Sequence, residues 1–139
     1  MPHLVIVHTP NIGTDFQQLC QSLVDTILAV RDEEGQQVFP EGGTRVMTFP
    51  ATGHAVGDGR HDHAFVYLNL RIVAGRSEAV IKKTGDAIVE ATRRHLAPVF
   101  ESSGIGLTLN IDTTPATLPG PVELVYQGFH NNLRAIYGR

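Results

Sequence analysis

The sequence predicts an α/β fold in which two consecutive β-α-β units form a four-stranded sheet with two helices on one face. Two observations support this fold class. Four apolar or alternating segments have the pattern of strands, at residues 4–7, 44–49, 64–72 and 105–111. One amphipathic helical stretch separates the strands of each pair, as in a right-handed crossover between parallel strands. The 139 residues are expected to form a single domain, 1–139.

The first unit contains the opening strand, a helix and a short second strand. Residues 4–7 are an uninterrupted apolar run, typical of a strand that is buried on both faces. Thr14 and Gln17 have the spacing of a capping box, which predicts that the helix starts there. One apolar stripe then recurs at three- and four-residue spacing: Phe16, Leu19, Cys20, Leu23, Ile27 and Val30.

The second unit repeats this order with clearer strand periodicity. Residues 64–72 alternate between apolar and mixed positions, and Ser77 is a suitable N-cap for the helix that follows. Pro98 is expected to kink or end that helix. Residues 105–112 alternate as the last strand, and residues 114–139 form a C-terminal segment of the same domain.

Helices on one face leave the other face of the sheet with apolar side chains. A contiguous apolar surface of this kind favours contact with further subunits. We therefore expect an oligomer, and closed symmetric assemblies are the usual outcome.

The composition argues against membrane and nucleic-acid binding and favours a cytoplasmic protein. No apolar run reaches about 18 residues, and no pattern of a secretory signal opens the chain. The single cysteine, Cys20, has no internal disulfide partner, which fits a reducing compartment. The formal net charge of −3 offers no basic field for a nucleic acid.

Seven histidines raise the possibility of a metal site. His61 and His63 are two residues apart at the start of a strand, with His54 and Asp58 nearby. However, no glutamate follows at a strand-compatible spacing, and the alternating helices do not fit an all-β barrel. Polar contacts at a loop edge are the favoured interpretation, and no metal is expected.

Pro2 raises a chemical question, because it lies directly before the first strand. Proline has no backbone N–H and is tolerated in a strand mainly at its first position. If Met1 is removed, the nitrogen of Pro2 becomes a secondary amine that can carry and release a proton. Chance occurrence is the alternative.

Two arginines stand at the edges of predicted elements. Arg45 follows "FPEGGT" at a strand start, and Arg76 in "AGRS" precedes a helix. A guanidinium beside free helix N–H groups suits a carboxylate. An ordinary surface role is the alternative for any single arginine, and it is the interpretation given to Arg71, Arg93 and Arg94. With an amine at Pro2, the set provides a base and two carboxylate-binding groups.

Four segments resemble the 5-carboxymethyl-2-hydroxymuconate Δ-isomerase family of the tautomerase superfamily: "PHLVIV", "FPEGGTR", "DGRHDHAFVYLNLRIVAGRS" and "ESSGIGLTLNID". The resemblance extends nearly without gaps from Phe39 to Ile111, and with the first strand it covers about residues 2–113. The C-terminal segment, 114–139, departs from the family pattern.

The resemblance implies a homotrimer that isomerises a small unsaturated carboxylic acid in aromatic catabolism, without a cofactor. It implies that Pro2 is the general base and that Arg45 and Arg76 bind the substrate. A second interpretation within the superfamily is a hydratase, dehalogenase or decarboxylase in which protonated Pro2 acts as an acid. An interpretation of another class is a non-catalytic trimeric binding or scaffold protein.

Overall fold

The structure, a computed structural model, describes residues 1–114 and 133–138. Its strands are β1 (His3–His8), β2 (Arg45–Pro50), β3 (Ala64–Val73) and β4 (Ile105–Thr114). Its helices are α1 (Phe16–Leu28), α2 (Glu78–His95), α3 (Ala97–Ser102) and α4 (Leu133–Tyr137), and a short 3-10 turn at Glu41–Gly43 precedes β2. Most of the predicted C-terminal segment, residues 115–132 and 139, lies outside the described residues.

The four strands form one mixed sheet in the order β2-β1-β3-β4. β1 is parallel to β2, and β3 is parallel to β4, so each half of the chain is a β-α-β unit. The two units meet through the antiparallel pair of β1 and β3. The predicted fold class of two consecutive β-α-β units is therefore confirmed.

The start of α1 differs from the prediction by one residue. Asp15 is the N-cap, and its carboxylate accepts a hydrogen bond of 3.0 Å from the backbone N–H of Gln18. The Thr14 hydroxyl lies 2.9 Å from Nε2 of His95, which is 81 residues further along the chain. The capping box predicted at Thr14 and Gln17 is thus wrong, because the Thr14 side chain makes a tertiary contact instead.

The boundaries of α2 agree with the sequence. The Ser77 hydroxyl accepts a hydrogen bond of 3.2 Å from the Val80 N–H and caps the helix. The helix ends at His95, and the short α3 starts directly afterwards with Pro98 in its first turn. A proline is compatible with a first turn but not with a helix interior, which explains the break.

The hydrophobic core lies between the helices and one face of the sheet. Alternate residues of β1 and β3 are buried against α1 and α2, as the strand periodicity predicts. The large apolar side chains of these elements that are fully buried are Leu4, Ile6, Leu19, Leu23, Ile27, Val66, Leu68, Leu70, Ile72 and Ile88. Cys20 is half-buried on α1. No helix among the described residues is long and apolar enough to cross a membrane.

The opposite face of the sheet, here called the open face, is incompletely covered by the described residues. At one end, a single row across the strands contains Arg45, His3, Arg71 and Asp112. Towards the other end, a parallel row contains Phe49, Val7, Tyr67 and Thr108. Val7, Met47 and Phe49 remain 40%, 43% and 49% exposed. This apolar surface is the kind that favours subunit contact, and the trimer stays a prediction.

Candidate active site

The three residues singled out in the sequence lie at the same end of the sheet, where β1 and β2 begin and β3 ends. Pro2 is buried immediately before β1, and its carbonyl accepts a hydrogen bond of 3.0 Å from the Arg45 backbone N–H. Arg76 follows β3 by three residues. The antiparallel pairing of β1 with β3 is what places Arg76 near the start of the chain.

The terminal amine of Met1 lies in a partly buried, electropositive environment. Burial lowers the pKa of this amine below its ordinary value of 8.0, and the charge of Arg76 lowers it further. The Met1 side chain packs beside Gly43, where an added Cβ would lie 3.1 Å from Cγ of Met1. The beginning of the chain is therefore enclosed by the turn before β2 and by Arg76.

Arg76 is held at two points. Its Nη1 donates a hydrogen bond of 2.6 Å to the Val73 carbonyl, and its guanidinium carbon lies 4.7 Å from the centre of the Phe39 ring. Phe39 is fully buried, so the ring is a fixed surface. Burial lowers the pKa of Arg76 from its ordinary value, but an arginine remains charged. Gly75, with a φ of +118°, makes the turn that directs the chain into this position.

Arg45 is held against the turn that precedes it. Its Nη1 donates hydrogen bonds of 3.0 Å and 2.9 Å to the carbonyls of Gly42 and Thr44. Within residues 1–114 and 133–138, neither Arg45 nor Arg76 forms a salt bridge with a carboxylate. Two positively charged groups that no described carboxylate neutralises suit an anionic ligand.

Two further groups at this end of the sheet, His3 and Arg71, were not assigned to the site from the sequence. His3 is half-buried, and its pKa is lowered first by burial and then by Arg45, the terminal amine and Arg71. Arg71 lies close enough to His3 to contribute to this lowering of its pKa. Only the register of β1 with β3, which pairs His3 with Arg71, could have indicated this.

A cavity of about 400 Å³ lies beside Arg76 at the start of α2. Gly75, Ser77 and Val38 contribute to its lining, together with the carboxylate residues Asp32 and Glu33. The Ser77 hydroxyl donates to Glu33, and this hydrogen bond lowers the pKa of the Glu33 carboxyl. The dipole of α2 favours a negative group beside its N-terminus, and the Glu33 carboxylate already occupies this position in the cavity.

The histidine pair lies elsewhere. The rings of His61 and His63 are 5.3 Å apart, in the loop that leads into β3. Within the part of the chain that the structure describes, no three histidine, cysteine, aspartate or glutamate side chains form a group that could hold a metal ion.

The family of the chain follows from comparison with known proteins. A family model described as 5-carboxymethyl-2-hydroxymuconate isomerase matches residues 2–122. The chain belongs to this family. It is therefore an enzyme of the isomerase class, as the sequence resemblance implies.

Individual members of the 5-carboxymethyl-2-hydroxymuconate isomerase family are similar along most of their length. The 5-carboxymethyl-2-hydroxymuconate Delta-isomerase of Escherichia coli is 29% identical over 120 residues, which are 85% of this chain and 90% of that protein. A crystal structure of a 5-carboxymethyl-2-hydroxymuconate delta-isomerase superposes with a TM-score of 0.85 at 41% identity, covering 99% of this chain and 93% of the other.

A second solved structure extends this agreement. The 5-carboxymethyl-2-hydroxymuconate isomerase from Deinococcus radiodurans R1 has a TM-score of 0.80 and 32% identity, covering 98% of this chain and 93% of that chain. More distantly, a macrophage migration inhibitory factor-like protein from Entamoeba histolytica has a TM-score of 0.55 at 13% identity, over 82% of this chain and 89% of that one. That likeness concerns the fold alone and confirms the tautomerase-like architecture.

Proposed function

We propose that this isomerase converts a 2-hydroxymuconate-type dienol acid, such as 5-carboxymethyl-2-hydroxymuconate, into its oxo isomer. Pro2 is the general base once Met1 has been removed, and Arg45 and Arg76 bind carboxylates of the substrate. The observation that carries the proposal is the burial of Pro2 at the sheet end where neither guanidinium group forms a salt bridge with a carboxylate of residues 1–114 or 133–138. The names of the similar proteins supply the substrate class.

The reaction is a proton transfer with a shift of double bonds. The base takes the proton from the hydroxyl on C2, and the oxygen electrons form a C2=O double bond. The C2=C3 pair moves to C3=C4, and the C4=C5 pair accepts a proton at C5. Electrons and atoms balance without an oxidant or reductant, so the step requires no redox cofactor.

The electrostatic environment favours a neutral amine, which is the form that a base needs. The pKa of the Met1 amine is lowered by burial and by Arg76, and Pro2 is buried one residue further along the chain, immediately before β1. The same two causes would act on a secondary amine at Pro2. A general base works best when its pKa lies near the working pH. This favours base chemistry over the interpretation in which protonated Pro2 acts as an acid.

The two arginines have complementary positions around the base. Arg76 is fixed by the Val73 carbonyl and the Phe39 ring. Its positive charge lowers the pKa of the terminal amine. Arg45 is the first residue of β2, which pairs with β1 on the side opposite to β3. Its hydrogen bonds to Gly42 and Thr44 use Nη1, so the N–H groups of Nε and Nη2 can still donate to a carboxylate. Two guanidinium groups on different elements suit a substrate with carboxylates at separate positions, which they would hold against Pro2.

The assembly and compartment belong to the same proposal. The exposed Val7, Met47 and Phe49 support a homotrimer in which the open face is covered by neighbouring subunits. The unpaired Cys20 supports a reducing cytoplasm. Light scattering of the purified protein measures the mass of the assembly, and a monomer at micromolar concentration contradicts the trimer.

The direct test compares the processed protein with Pro2→Ala and with Pro10→Ala, which changes an exposed proline in a turn. Intact mass first establishes that Met1 is absent from each sample. Dienol turnover is then followed by ultraviolet absorbance. We expect kcat to fall about 10²- to 10⁴-fold in Pro2→Ala, the usual contribution of a general base, and to be unchanged in Pro10→Ala. Full activity of Pro2→Ala with an unchanged melting temperature overturns the proposal.

A further inference from the structure

The row of side chains at the catalytic end of the open face contains a second arginine, Arg71, besides Arg45. His3 directly follows Pro2 and is flanked in register by Arg45 on β2 and Arg71 on β3. Directly opposed residues on neighbouring strands have Cβ atoms about 4.5–5.5 Å apart. The side chain of Arg71 therefore begins as close to His3 as that of Arg45 does.

Arg71 is exposed and forms no salt bridge within the described residues. The acid nearest to it in register is Asp112 on β4. The Asp112 carboxylate instead accepts a hydrogen bond of 2.9 Å from the side-chain amide of Asn69. Arg71 thus forms no ion pair with Asp112 among the described residues, and its guanidinium can bind an external anion.

The positive charge of Arg71 affects the pKa of His3, the third residue of the chain. Arg71, Arg45 and the terminal amine all lower the pKa of His3, so the four groups share one electrostatic environment. This concentration of positive charge occurs in a chain whose formal net charge is −3. A local field of this sign, opposite to that of the whole molecule, draws anions to one end of the sheet.

The substrate class named for the relatives has one more carboxylate than the two arginines bind. Muconate is a dicarboxylate, and the carboxymethyl branch at C5 adds a third carboxylate. Arg45 and Arg76 match two of the three. The third requires another cationic group within reach of the same end of the sheet.

We propose that Arg71 binds the carboxymethyl carboxylate of the substrate and gives the enzyme its preference for tricarboxylate over dicarboxylate dienols. The proposal rests on the proposed function and deepens it. The conjugated chain of the substrate must lie against Pro2, which is buried. The guanidinium of Arg71 on β3, one strand away from Pro2, suits the flexible branch, which extends away from the reacting atoms.

The test compares Arg71→Gln with Arg60→Gln, which removes the same charge from an exposed arginine in the loop between β2 and β3. Both variants and the parent enzyme are assayed with 5-carboxymethyl-2-hydroxymuconate and with 2-hydroxymuconate, which lacks the branch. We expect kcat/KM for the tricarboxylate to fall about tenfold in Arg71→Gln, mainly through KM, at low salt. With 2-hydroxymuconate the fall is less than twofold, and Arg60→Gln changes neither substrate. Arg71→Lys recovers part of the preference, because a point charge replaces the guanidinium.

Equal loss for both substrates, or no loss in Arg71→Gln, overturns the inference. Failure of the parent enzyme to turn over either dienol contradicts the proposed function instead. In that case calorimetry with propane-1,2,3-tricarboxylate and with glutarate, two unreactive acids, still decides the role of Arg71. A tenfold weaker affinity of Arg71→Gln for the tricarboxylate alone supports it, and equal affinities of the two proteins exclude it.

Discussion

The guanidinium carbon of Arg76 lies 4.7 Å from the centre of the Phe39 ring, which is fully buried in the core. A cation over an aromatic face is stabilised by about 0.5–2 kcal/mol, more when it is partly desolvated. With the hydrogen bond to the Val73 carbonyl, this contact fixes the direction of the guanidinium. The position of Arg76, a proposed substrate-binding group, therefore depends on a core side chain that does not itself carry charge.

Phe39→Leu is expected to raise KM about three- to tenfold with a smaller change in kcat, because Arg76 loses the surface that orients it. Phe16→Leu is the matched control, since Phe16 also contributes a ring, stacked on His8 at the other end of the sheet. Steady-state kinetics and thermal melts of both variants provide the measurement. A rise of KM in Phe39→Leu that is absent in Phe16→Leu supports the assignment, although the fully buried Phe39 should lose more melting temperature. An unchanged KM in Phe39→Leu shows that the ring does not position Arg76.

Gly75 makes a turn that other residues adopt only with strain, since its φ is +118°. Gly75→Ala is expected to cost about 1–3 kcal/mol in the free energy of unfolding and to weaken substrate binding by displacing Arg76. Gly53→Ala is the control, because an added Cβ there meets nothing within 4 Å and no positive φ is involved. Urea unfolding of both variants measures the difference. Equal stabilities of the two would show that the turn tolerates a side chain.

The terminal amine gives a pH dependence with a definite sign. Because burial and Arg76 lower the pKa of the Met1 amine, an amine at Pro2 should also titrate below its ordinary range. We expect kcat/KM to rise with pH as this amine loses its proton, and then to level off. Arg76→Gln removes a positive charge, so the pKa of the amine should move to higher pH. Nitrogen NMR of the free enzyme measures that shift independently of substrate binding, and a shift to lower pH contradicts the assignment.

His63 lies where a side chain at Gly104 would have to be, because a Cβ added at Gly104 overlaps the imidazole. Gly104→Ala is expected to destabilise the fold by about 1 kcal/mol, since the imidazole can partly turn away. The double variant with His63→Ala should recover most of this loss, which a double-mutant cycle of melting temperatures measures. Additive losses in the double variant would mean that the two positions do not meet.

Features that depend on local chemistry could be predicted from the sequence. The strand at residues 64–72 follows from a period of two, and the observed β3 differs from it by only one residue. Ser77 as a cap and the break of the helix before Pro98 follow from hydrogen bonding within one turn. The chemistry of the side chains groups Pro2, Arg45 and Arg76 in the sequence, and the structure brings their positions to one end of the sheet.

Features that depend on distant contacts could not be predicted. Thr14 had the sequence of a cap, but a histidine 81 residues away uses its hydroxyl. Arg71 resembled an ordinary surface arginine until the register of β1 with β3 placed it beside His3. The contact of Phe39 with Arg76 likewise joins two elements whose relative position is set by packing. Neither periodicity nor spacing contains such information.

The pairing of two β-α-β units through antiparallel β1 and β3 gives the sheet an approximate twofold relation. In this twofold relation, the buried Ala64 at the start of β3 has the position that the buried Pro2 has before β1. A cavity of about 440 Å³ lies at that second corner, lined in part by Val7, His8, Phe65 and Tyr67. The nitrogen of Ala64 is a peptide amide that donates to the Gly104 carbonyl, so it cannot act as a base. Two architecturally equivalent corners thus differ in the nitrogen that they present, because at the second corner it belongs to a hydrogen-bonded peptide bond.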